Sequence, residues 1–142
     1  MDAMGMTALS LFDTLLQAAA MQPEPQRLLF VFTEAELPSD ATDAQRAGFR
    51  ARRGGALAPL ACADKRLDEL SDFAALVAES RRACPPWSFV FIAALAGRDG
   101  QAPSDAQVDT ALETMVRNVR EGSFGGYMAL DPSGEPVRFF AG

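Results

Sequence analysis

Three apolar stretches of this sequence each run into charged residues. Residues 28–33 lead into Glu34 and Glu36, residues 56–63 into Asp64, Lys65 and Arg66, and residues 89–95 into Arg98 and Asp99. Apolar runs of that length read as buried strands. If the three strands are parallel, the loops after them meet at one edge of the sheet, where open α/β folds bind ligands. Glu34, Asp64, Lys65 and Arg98 are therefore the candidate binding residues, a mixed-charge set suited to a small polar or anionic ligand. The plainer alternative carries more weight: acids and bases in loops form exposed ion pairs that contribute little.

The stretch LAGRDGQAPSD, residues 95–105, has the look of a phosphate loop, with a strand before it and a helix start after it. It fails both templates. The dinucleotide fingerprint needs three glycines, and only Gly97 and Gly100 are there; the Walker loop needs a Gly-Lys-Ser/Thr ending, and no lysine is near. Ser104 has a simpler role, because Ser104 and Gln107 form the S-x-x-Q pattern of a capping box. The stretch reads as a turn. Glu34 and Glu36 do not make an acid/base pair on their own, being two apart in one segment with no partner or cleft in evidence. Trp87, after Pro85 and Pro86, reads as a packed residue at a strand start.

The chain contains no histidine. That removes the commonest general base, the commonest transition-metal ligand and every Ser-His-Asp or Cys-His device. Cys62 and Cys84 are too few for a structural zinc site and read as reduced, buried thiols. These absences argue against an enzyme, and no metal or cofactor is expected. The net charge of −6 excludes general binding to nucleic acid and disfavours anionic membranes. No apolar run is long enough for a transmembrane helix, and the start has no basic region of the kind a signal peptide carries. The expectation is a cytoplasmic protein of one globular domain, residues 1–142, with residues 1–6 a loose leader.

The elements that must position these residues follow from periodicity. Leu9, Phe12, Leu16 and Ala19 recur at helical spacing over about residues 7–21, with Ser10 and Asp13 forming a capping pair if the helix starts late. Pro23 and Pro25 stop that helix. A T-x-x-Q capping box at Thr42 opens a short helix through about Arg52, in which Arg46, Arg50, Arg52 and Arg53 read as a solvated basic face. Pro59 demotes the second strand towards an edge or a bulge. Residues 67–82 read as one helix with Leu67, Leu70, Phe73, Ala74 and Val77 on its apolar face. Val108, Ala111, Leu112, Met115 and Val119 mark the clearest helix, over residues 104–121, closed by Gly122. Strands at 127–130 and 137–140 flank a turn at Asp131–Gly134 and predict a C-terminal β-hairpin. The expected fold is α/β, with α+β as the alternative: a layered, mixed five-stranded sheet with helices in the order α-β-α-β-α-β-α-β-β.

That order resembles a thioredoxin-like layout, but the likeness stops at element order. Cys62-Ala63-Asp64-Lys65 stands where such proteins keep C-x-x-C, and Gly125 and Gly126 stand where they keep a proline, so a dithiol oxidoreductase is excluded. Three longer stretches, QPEPQRLLFVFTEAELP, GGALAPLACADK and PPWSFVFIAALAGRDGQAPS, carry another likeness. They resemble a family of short proteobacterial proteins of unassigned function that often bear the label "ribonucleotide reductase subunit alpha". The label does not suit a chain this short with two ordinary cysteines. The resemblance implies a soluble bacterial protein and transfers no catalytic residue. Two functions are expected in turn: a non-enzymatic interaction or regulatory module that self-associates, and, as the alternative, a small-molecule binder or enzyme using Glu34, Asp64, Lys65 and Arg98. The expected partner is a second copy through the C-terminal hairpin, where adjacent Phe139 and Phe140 point to opposite faces, or an unidentified protein or small ligand.

Overall fold

The structure, a computed structural model, describes residues 10–36 and 56–137. Among these residues it is a mixed α/β fold of three α-helices and one four-stranded antiparallel sheet. The helices are α1 (Leu11–Ala20), α2 (Phe73–Ala83) and α3 (Asp105–Glu121); the strands are β1 (Gln26–Glu36), β2 (Ala56–Arg66), β3 (Phe89–Ala96) and β4 (Met128–Leu130). The strand order is β2-β1-β3-β4. The basic helix expected after Thr42, with its four arginines, lies outside the described residues.

Alternation in β1 divides the core in two. Leu28, Phe30 and Phe32 point to one face, where Phe12 of α1 and Phe73, Leu76 and Val77 of α2 cover them. Leu29 and Val31 point to the other, where Val108, Leu112, Met115 and Val119 of α3 cover them. A strand buried on both faces has to be apolar throughout, which is why residues 28–33 carry no alternation. Partners directly opposite in the ladder share a face, so Ala61 and Ala63 belong with Phe30 and Phe32, and Cys62 belongs with Val31 on the α3 side.

Local chemistry sets the helix ends. Ser10 is the N-cap of α1, its Oγ accepting the Asp13 amide at 3.0 Å. Ser104 and Gln107 form the full capping box of α3: Ser104 Oγ accepts the Gln107 amide at 3.1 Å, and Gln107 Oε1 accepts the Ser104 amide at 2.8 Å. At the other end Gly122 takes a left-handed φ of 80°. Its N–H reaches the Val119 carbonyl and the Ser123 N–H reaches that of Asn118, the two bonds of a Schellman closure. Ser104→Ala removes an exposed cap and is expected to cost about 1 kcal/mol, checked as a lower urea midpoint with an unchanged slope.

Several expectations need correction. Among the described residues the sheet has four strands, all antiparallel to their neighbours, rather than the mixed pairing expected. The hairpin turn is present, with Asp131 C=O accepting the Gly134 N–H at 2.9 Å and the Val137 N–H returning to Ala129 C=O. The expected fifth strand beyond Val137, including Phe139 and Phe140, lies outside the described residues. Residues 67–82 are not one helix: a 3-10 turn at Leu67–Glu69 precedes α2, because Asp72 caps α2 by accepting the Ala75 amide at 2.8 Å. Leu67 and Leu70 still pack on the core from that turn, while Ala74 is exposed. Strands β1 and β2 also outrun their apolar centres and take in Glu34, Asp64 and Lys65. As Pro59 suggested, β2 lies at the edge of the sheet among the described residues and carries a register shift, with Leu60 the extra residue between Pro59 and Ala61.

Candidate functional site

The antiparallel sheet separates Glu34 from the other three candidate residues. Asp64 and Lys65 lie opposite Leu29 and Leu28 near the start of β1, whereas Glu34 lies near its other end, opposite Ala58. Glu34 lies five residue steps, about 17 Å, along β1 from Leu29, the position facing Asp64. Arg98 follows β3 and so sits at the Asp64 end, beyond the Gln26–Ala96 pair. Asp64 and Lys65 are themselves neighbours in a strand and project to opposite faces.

Each of the two is occupied within the chain. Asp64 Oδ2 accepts from Arg27 Nε at 2.7 Å, a diagonal pair across two strands on the α3 face. Lys65 Nζ donates to Glu79 Oε2 of α2 at 2.6 Å on the opposite face. Both pairs are partly exposed and contribute about 1 kcal/mol or less each. They pin the edge strand to its neighbours, and neither leaves a charge aimed at a ligand.

The loop of Arg98 is a two-residue hairpin. Arg98 and Gln101 exchange both backbone hydrogen bonds, at 2.9 and 3.0 Å. The two residues between them, Asp99 and Gly100, have φ values of 55° and 79°, as a type I′ Asp-Gly turn requires. The Gly100 N–H donates to Glu24 Oε1 at 2.7 Å, so the amide a bound anion would need is engaged. The turn reading of this stretch therefore stands. Trp87 is packed as expected, donating through Nε1 to Ser80 Oγ at 2.8 Å and tilting against Phe32.

A different feature offers the larger surface. Between the edge strand β2 and the flank of α3 runs an open groove of about 490 Å³. Cys62, Leu112 and Val116 give it an apolar lining, and Asp109, Glu113, Arg117 and Arg120 give it a charged rim. A second hollow, beside Trp87 and Cys84, holds only about 190 Å³, below the usual ligand-pocket range of roughly 300–1,000 Å³. Contrary to the expectation of two buried thiols, Cys62 is exposed and Cys84 only partly buried; burial pushes the Cys84 thiol up from its ordinary pKa, so Cys62 is the more accessible thiol. Among the described residues no three His, Cys, Asp or Glu side chains converge as a metal site would need.

The sequence does not show the groove because its parts come from residues 47 or more positions apart, Cys62 from β2 and the rest from α3. One signal was present. Asp109, Glu113, Arg117 and Arg120 recur at helical spacing beside the apolar stripe. No family model matches this chain, and neither a curated protein nor a solved structure does.

Proposed function

We infer that this chain is a non-enzymatic interaction or regulatory module that self-associates in the bacterial cytoplasm. The carrying observation is the β2 edge. This eleven-residue strand has no outer partner among the described residues, and it borders the apolar groove on its α3 side. Long unpaired edges template pairing with another chain unless they are blunted. Pro59 and the bulge blunt the first half of β2; residues 61–66 run in regular register. The engagement of Asp64 by Arg27 and of Lys65 by Glu79 weighs against a ligand site built from the loop charges. An acidic surface and two free thiols suit the cytoplasmic assignment.

Multi-angle light scattering over a dilution series tests the reading. The expected mass rises from the 15.2 kDa of one chain towards twice that value as concentration increases. A mass that stays at one chain throughout the series contradicts it.

A further inference from the structure

We propose that the second copy docks on the β2–α3 face about a twofold axis, and that the charges on α3 encode that symmetry. The proposal rests on the self-association reading and names the surface that carries it. Asp109, Glu113, Arg117 and Arg120 are all exposed, and no ion pair within 4 Å engages any of them among the described residues. They lie on one flank of α3, within about 80° of each other at 100° per residue, and span about 16 Å. Their order along the helix is acid, acid, base, base.

Such a row is its own complement when reversed. In an antiparallel pair of α3 helices, Asp109 faces Arg120 of the second copy and Glu113 faces Arg117 of the second copy, and the reciprocal pairs form by symmetry. An isologous interface requires this self-complementarity. The parallel arrangement sets acid against acid and base against base, so the row also rejects the wrong orientation. The row sums to zero charge. Two chains of net charge −6 can therefore meet here without local repulsion, and the remaining charge is screened beyond roughly 8 Å at physiological salt.

The sheet geometry agrees. Helix α3 packs on both β1 and β2 and so lies over the line between them. A twofold beside β2 pairs that strand with its copy in antiparallel fashion and extends the sheet. With strands about 4.8 Å apart, the two α3 axes then stand about 10 Å apart, at the upper end of the roughly 8–10 Å at which helices pack. Strand pairing and helix pairing are thus satisfied by one axis. Val116, half-buried in the single chain, and Cys62 lie between the two layers.

Charge exchange tests this directly. One variant carries D109R and E113R, making the row wholly basic; another carries R117E and R120E, making it wholly acidic. All four positions are exposed, so both chains should fold. By sedimentation equilibrium each variant alone is expected to self-associate about tenfold more weakly than the wild type, or worse. Mixed in equal amounts, the two should recover a heterodimer at least as tight as the wild-type dimer, and the chain with all four exchanges should dimerise like the wild type. Wild-type affinity in both single-sign variants overturns the proposed face and leaves self-association standing. Weakened variants that do not recover on mixing overturn the charge code. A wild type that is monomeric at every concentration removes the self-association reading and this proposal with it.

Discussion

Phe12→Ala is expected to destabilise the fold by about 3–5 kcal/mol, the usual cost of deleting a buried phenylalanine. Phe12 has no exposed surface, and its ring lies 5.4 Å from that of Phe73 and 6.4 Å from that of Phe30. It is thus the point where α1, α2 and β1 meet. Removing it opens a cavity lined by aromatic rings that two helices and a sheet hold apart, so little collapse can fill the space. For a domain of this size the loss lowers Tm by about 10–20 °C. Phe12→Leu keeps most of the volume and should cost much less, about 1–2 kcal/mol. Thermal unfolding of the two variants checks the account. A loss below about 1 kcal/mol for the alanine variant would mean that α1 is not docked on the sheet as described.

Gly97→Ala is the second large effect. A Cβ at Gly97 falls 1.9 Å from the carbonyl oxygen of Gln101, a backbone atom that cannot swing aside. That same oxygen accepts the Arg98 N–H, and the Gly97 N–H is itself bonded to the Pro25 carbonyl at 2.8 Å. The hairpin must open or shift as a unit, and the cost is expected at about 3 kcal/mol, the upper end of ordinary overpacking. Gly100→Ala provides the comparison. Its φ of 79° strains any other residue, but its Cβ meets nothing within 4 Å, so about 1–2 kcal/mol is expected. Denaturant unfolding should rank Gly97→Ala as the worse of the two. The opposite order would show that backbone conformation rather than close approach makes glycine necessary here.

Much of this architecture is legible in the amino-acid sequence. The helix α3 was legible at both ends because its boundary chemistry is local: Ser104, Gln107 and Gly122 act within a turn of the backbone they satisfy. The burial of β1 was legible because a central strand must be apolar on both faces. Strand direction was not, since the ladder is set by pairings such as Phe30 with Ala63 and with Ile92, which no local pattern records. The candidate site failed on that point. Glu34 and Asp64 were joined by the assumption of parallel strands, and an antiparallel β1–β2 pair carries them to opposite ends. The strand ends are hidden for a related reason: at an edge, Asp64, Lys65 and Arg66 extend the ladder while keeping their charges near water. The groove needed both the edge position of β2 and the flank of α3, and only the second was written in the helix.

In the proposed dimer, two copies join through β2 and the adjacent flank of α3. Amide hydrogen exchange, followed at concentrations below and above the onset of association, tests it most directly. The amides of β2 over residues 61–66 that do not bond to β1 should exchange more slowly in the associated state. The hairpin of residues 128–137 should be unchanged. Protection confined to that hairpin, with β2 unaltered, would contradict the account and place the interface at the opposite edge of the sheet.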